Sequence, residues 1–359
     1  MRIFRSFGEK DRRTHRSFLL GERSLRAYLA GGNVRFLRDA EANLSVVAPD
    51  ADYYRDARFY LGITKAQLRE ADESIKILSD LQEKVSSDRE SETKGDFANR
   101  ISLQLAYAHI KKYTDPDFDK AEKILEPLVS KASTKSWPDL LLQAKSLQAF
   151  LYSVMAGYSK RVTEKPEFVR KARKIGEEVL ADPRSLPTVR FEALNALGIA
   201  WMRFAENSRE NIASTEGEAG VGWQAAHRAP AIKKEWEGID NTADGWAKAE
   251  EYFDKALAIV PNSVRVLQNK ATLRRLKAKK SVARDSLALL EEAEELVKRS
   301  LAINDQDQFP FYQLALIAVE KGDKASALTY IKEGLNKPGA VKEKEWTAVK
   351  SAAEALPSP

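Results

Sequence analysis

The sequence predicts an all-α chain: about seven helix-turn-helix hairpins stacked as a solenoid, with insertions inside some hairpins and a capping helix near the C-terminal end. Three observations predict it. Hydrophobic residues make up 43% of the 359 positions and charged residues 31%, enough for a core beneath a large solvated surface. Seventeen glycines and thirteen prolines are few for an all-β chain with many tight turns. A stripe of small, large and small side chains, spaced four and three apart, recurs along the chain.

The stripe is plainest in "WAKAEEYFDKALAIVPN", Trp246 to Asn262. Residues at those steps share one face of a helix, so Ala249, Phe253 and Ala256 form a seam that another helix can approach. Pro261 cannot continue the helix, and Asn262 suits a turn. Upstream, Ala40, Leu44 and Val47 give a weaker version. Leu61 and Gly62 followed by Ser74, Leu78 and Leu81 give a full pair. Ala121, Leu125 and Leu128 follow beyond the solvated link "SSDRESETKGD". The apolar run "WPDLLLQAKSLQAFLYSVMAG" is helical but has no readable register. Leu194, Leu197, Gly198 and Trp201 precede the largest insertion, residues 207–245, and "SKRVTEKPEF" and "KAKKSVARDS" are smaller ones. Ala293, Val297 and Ser300 repeat the seam, and Ala327, Ile331 and Gly334 repeat it again 34 residues on. In the last unit Phe311, Leu314, Ala315 and Ala318 form the first helix, with Gly322 and Asp323 at the turn. Trp346, Val349, Ala353 and Leu356 line the capping helix.

The 34-residue step and the Ala-x3-Phe-x2-Ala-x4-Pro pattern resemble the second helix of a tetratricopeptide repeat. The resemblance covers most of residues 33–336 and is most specific from Ala249 onward. It implies a right-handed superhelix of paired helices, whose first helices line a groove that grips a protein or peptide segment. The domain division expected is a basic arm over 1–20, a repeat domain over 21–336, and a cap and tail over 337–359. The groove does not carry the paired-lysine clamp of family members that hold chaperone tails.

No cysteine is present, which excludes disulfides, thiolate metal sites and cysteine nucleophiles. With no apolar run long enough for a signal core or a membrane span, the chain reads as soluble and cytoplasmic. Asp115, Asp117, Asp119 and Glu126 stand at first, third, fifth and twelfth positions of a calcium-loop spacing. Lys120 takes the place of the required glycine, so the reading is a turn in which Asp119 caps a helix, with no metal. "GVGWQA" at 220–225 lacks the strand a dinucleotide fingerprint needs, and His15, His109 and His227 are scattered. No nucleophile elbow, phosphate loop or metalloprotease motif occurs, so neither a cofactor nor an enzyme activity is predicted.

Charge is uneven. Residues 1–40 hold ten Lys or Arg against four acids, a balance of +6 that equals the whole formal net charge. Arg12, Arg13 and Arg16 of this basic arm could meet nucleic acid, an anionic membrane surface or an acidic protein, or simply lie on a solvated first helix. A second basic run, "VRVLQNKATLRRLKAKKSVAR", carries eight positive charges and no acid. Taking Ala271 as its inward small residue places Arg265, Gln268, Asn269, Thr272 and Arg275 toward the groove. Asn195 on the preceding unit, and Phe309, Tyr312 and Gln313 on the following one, take corresponding positions. Amides there can hold a peptide main chain, and arginines can meet carboxylates. The expected function is a non-catalytic scaffold for a protein partner with acidic character. The alternatives are a nucleic-acid-binding solenoid using the arm and the 265–284 helix, and a regulatory subunit of an enzyme complex with the 207–245 insertion as a lid.

Overall fold

A computed structural model describes residues 9–31, 33–87, 94–131, 138–206, 244–337, 341 and 343–357. Phe4, Phe7, the core of the 86–96 link, "GVGWQA", His227, Pro338 and all of the large insertion before Asp244 lie outside the described residues. The described residues contain fifteen α-helices and no strand, arranged in two compact units, 1–144 and 145–359.

The first unit holds α1 (Glu9–Leu29), α2 (Arg35–Ser45), α3 (Tyr54–Gln67), α4 (Ala71–Ser87), α5 (Lys94–Ile110) and α6 (Asp115–Lys131). They pack as successive pairs, α1/α2, α3/α4 and α5/α6, with α2 against α3 and α4 against α5. The seam residues expected at Ala40, Leu44, Leu78, Leu81, Ala121, Leu125 and Leu128 are all buried. α1 runs straight through the expected boundary at residue 20, so the described part of the basic arm is the first helix of the first hairpin.

The second unit begins within α7 (Pro138–Tyr158) and continues through α8 (Lys165–Ala181), α9 (Pro187–Glu206), α10 (Gly245–Ile259), α11 (Val264–Ala278), α12 (Ala283–Ile303), α13 (Gln308–Glu320), α14 (Lys324–Leu335) and α15 (Glu343–Glu354). Tyr152 of α7 stacks on Phe168 of α8 at 6.3 Å, and α9/α10, α11/α12 and α13/α14 form the following pairs. α15 closes the end by burying Trp346, Val349 and Ala353 against α13 and α14. The described helices thus make seven hairpins and a cap, as the seams predict.

Helix ends follow local chemistry. Asp244, Ser263, Asp307 and Asp323 each accept a backbone N–H in the first turn of α10, α11, α13 and α14. α10 stops at Ile259, two residues before Pro261. Gly322 takes a φ of +77°, which lets α13 turn sharply into α14. The smaller insertions do not hang out as loops. "KAKKSVARDS" becomes a four-residue turn and the first part of the 21-residue α12, and "SKRVTEKPEF" becomes a single 3-10 turn, Val162–Glu164, leading into α8.

Close approach depends on small residues facing large ones. A side chain on Gly198 would start 2.5 Å from the ring of Phe253, and one on Gly62 would start 2.6 Å from Leu78. Both contacts join the first and second helices of a hairpin. Ala271 and Ala315 are buried at the same place in later units.

The calcium-loop spacing is helical from its first residue, so Asp115, Asp117 and Asp119 project from one turn of α6 instead of lining a loop. The cap is also not Asp119, as expected, but Thr114: its hydroxyl oxygen accepts from Asp117 N (3.4 Å) and donates to Asp117 Oδ2 (2.6 Å). His109 Nδ1 stands 3.0 Å from Asp117 Oδ1. Burial would raise the Asp117 carboxyl, but the contacts from Thr114 and His109 outweigh it and hold the group below its ordinary value. A depressed folded value stabilises the fold above the unfolded one and loses that stability as pH falls through it. In urea titrations the loss of stability below about pH 4 should therefore be shallower in Asp117→Asn than in the wild type.

Phe253 is fully buried, so Phe253→Ala should cost about 3–5 kcal/mol in chemical denaturation. Gly198→Ala should cost about 1–3 kcal/mol through overpacking. The double variant should cost less than the sum, because the added methyl enters the space the ring leaves.

Candidate partner-binding wall on the first helices

The first helices of successive hairpins in the second unit lie side by side: α9 meets α11, and α11 meets α13. Ala271 turns inward, as its spacing predicts, and this fixes the rest of α11. Arg265, Asn269, Thr272 and Arg275 fall on consecutive turns of one edge. The structure brings these residues together with Asn195, Gln268 and Gln313, but mostly as partners of one another.

The contacts run as a ladder. Arg265 Nη2 donates to both oxygens of Glu192 on α9, at 2.5 and 2.6 Å. Its guanidinium also lies over the rings of Phe150 (5.4 Å) and Phe191 (5.6 Å), so a cation–π contact ties α7, α9 and α11 together. One turn on, Asn269 Nδ2 donates to Asn195 Oδ1 at 2.9 Å. Gln313 Nε2 of α13 then donates to Thr272 Oγ1 (2.6 Å) and to the Gln268 carbonyl (3.1 Å). At the far end Arg275 Nη1 donates to Glu320 at 2.7 Å, and Lys279 shares the same carboxylate at 3.0 Å.

Two expectations change. Asn195, Gln268 and Gln313 are buried between the helices instead of standing on an open face. The basic run presents less positive charge than its sequence does: Arg265, Lys270, Arg274 and Arg275 each meet a carboxylate, from Glu192, Asp254, Glu250 and Glu320. Asn269, Thr272, Phe309 and Tyr312 keep partial exposure. Phe309 and Tyr312 lie 6.5 Å apart, and Tyr312 meets Trp346 of the cap edge-on at 5.4 Å. Burial, together with the Glu345 carboxylate, pushes the Tyr312 phenol up, so it stays protonated across the physiological range.

Asn195 Nδ2, Gln268 Nε2 and Gln313 Oε1 are buried with no hydrogen-bond partner among the described residues. A buried polar atom left unpaired costs about 1–3 kcal/mol. Three on one wall mark a place where stability has not been maximised.

Glu192, Glu320, Phe150 and Phe191 were not anticipated. Glu192 precedes Asn195 by three residues, and Glu320 follows Gln313 by seven, so register alone puts each on the wall side of its helix. A separate cleft of about 530 Å³ opens between α8, α9 and α10 beside Tyr252. There Arg190 donates to the Leu180 carbonyl (3.0 Å) and so closes the C-terminal end of α8.

The fold is tetratricopeptide-like: stacked two-helix units with small-against-large seams at that repeat's spacing. No protein-family model matches the chain, and no curated protein matches it by sequence. Solved structures similar to it include the following two. One is a tetratricopeptide repeat protein from Parabacteroides merdae, 10% identical, TM-score 0.47, matched over 94% of this chain and 99% of that one. The other is the APC/C hetero-tetramer Cut9-Hcn1, 11% identical, TM-score 0.26, matched over 97% of this chain and 83% of that one. The reading of the fold rests on the packing, not on these superpositions.

Asn195→Ala should cost about 1 kcal/mol: Asn269 loses its acceptor but is partly exposed, and the unpaired Nδ2 of Asn195 goes with the side chain. Glu192→Gln should cost less than about 1 kcal/mol, because that pair is partly exposed and the neutral amide still accepts from Arg265. Urea melts of the two variants check the ordering.

Proposed function

We propose that the chain is a non-catalytic scaffold that holds a segment of a partner protein along the first-helix wall of the second unit. The observation that carries this reading is the row Asn269, Thr272, Tyr312 and Phe309, partly exposed on adjoining first helices. These residues offer an amide, a hydroxyl and two aromatic faces, the groups that hold a peptide main chain and its larger side chains. The buried amide atoms beside them, left without partners, support the same reading.

The segment carries acidic side chains toward the Arg275 end. There two cations, Arg275 and Lys279, share the single carboxylate of Glu320, which leaves a net positive charge. The Arg265 end is balanced by Glu192 and adds little attraction. Among the described residues no helix is long and apolar enough to cross a membrane.

Proteins recovered from an extract by the wild type and by Asn269→Ala/Tyr312→Ala should differ at least about tenfold in the bound species, as loss of a central anchor does. The double variant should melt lower, since Asn195 loses its donor and Trp346 its ring contact, so recovery is compared at a temperature well below both midpoints. Lys279→Gln should weaken the same species with little change in the melting midpoint, because Lys279 is half exposed. Equal recovery by wild type and double variant would remove the wall as the binding surface.

A further inference from the structure

We propose that the outward face of α1 docks on a membrane surface rich in anionic lipid. The inward side of α1 is settled: Leu25 is buried, and Phe18 and Tyr28 pack on the core shared with α2 and α3. At 100° per residue the opposite side carries Arg12, Arg16, Leu19, Arg23 and Arg26, flanked by Arg13 and Leu20. All seven are exposed.

The one acid between residues 12 and 26, Glu22, lies at the edge of this face beside Arg26 and is only one-fifth exposed. It accepts from Arg26 (2.7 Å) and from the Tyr60 hydroxyl (3.2 Å). Arg26 is therefore already partnered, while Arg13, Arg16 and Arg23 surround the two leucines. The face extends about 21 Å along the helix at 1.5 Å per residue.

The leucines decide between occupants. Leu19 is 48% exposed and Leu20 41%, adjacent to each other in the middle of a cationic surface. Nucleic acid phosphates would reward the arginines and gain nothing from leucine. A bilayer surface rewards both, because leucine enters the boundary between headgroups and acyl chains while arginine meets anionic headgroups. One such face gives reversible attachment in the plane of the surface, dependent on charge and apolar contact together.

The test is sedimentation of the full chain with vesicles of phosphatidylcholine alone and with about a third phosphatidylserine. The chain should partition to the anionic vesicles and not to the neutral ones. Arg16→Gln/Arg23→Gln should weaken partition about 25-fold, near fivefold per arginine. Leu19→Ser/Leu20→Ser should weaken it roughly tenfold or more. Both variants should melt with the wild type, since the altered side chains are exposed. Asn269→Ala/Tyr312→Ala should sediment normally, which separates this face from the wall. Failure to sediment with anionic vesicles, equal sedimentation with neutral ones, or an unaffected leucine variant would each overturn the proposal. So would tighter binding to an RNA or DNA oligonucleotide at the same salt.

Discussion

A pair of helices can close only where one gives up its side chain to make room for the other. The contact of Gly198 with Phe253 shows that constraint plainly: even a methyl group on Gly198 would enter the ring. Gly62 and Leu78 repeat it in the first unit. Each hairpin closed in this way has a narrow internal seam and little core of its own. The remainder comes from neighbours. One continuous cluster takes Ala271 from α11, Ala293 and Val297 from α12, and Leu314 and Ile317 from α13. The next cluster takes Phe311 from α13, Ile331 from α14 and Trp346 from α15. Trp346 thus covers the apolar face of α13 and α14 with a large ring.

That constraint explains what is legible in the chain. Seams written as Ala-x3-Phe-x2-Ala are readable because the helix period fixes which residues face each other, without knowledge of anything distant. α7 was unreadable for a related reason. Residues 149–156 are all buried, so the C-terminal half of α7 keeps no polar face to set a phase. The arm was misdivided because composition, not periodicity, drew its boundary. Arginines fill the exposed side of α1 while Leu25 and Phe18 quietly keep the inward stripe.

The wall was half legible. Placing Ala271 inward puts Arg265, Asn269, Thr272 and Arg275 on one edge of α11 by register alone. What register cannot supply is the identity of the neighbour across the gap. Glu192 and Arg265 stand 73 residues apart, and Arg275 and Glu320 stand 45 apart. A run of eight cations without an acid looks like a ligand surface when read along the chain. In the fold its acids arrive from α9, α10 and α13.

The internal pairing also bears on how such a wall can be used. Any carboxylate that engaged Arg265 or Arg275 from outside would have to replace Glu192 or Glu320. The two exchanges differ in cost. The Arg265–Glu192 pair is partly exposed, with Glu192 the more open of the two, and releasing Glu192 to water forfeits about 1 kcal/mol. Arg275 and Glu320 are far less exposed, at 14% and 17%, so separating them strands charge in a poorly hydrated place. Lys279 eases this at one point only, because it is half exposed and can turn outward while Arg275 keeps Glu320. Recognition through Lys279 therefore leaves the ladder intact, whereas recognition through Arg275 would require it to open.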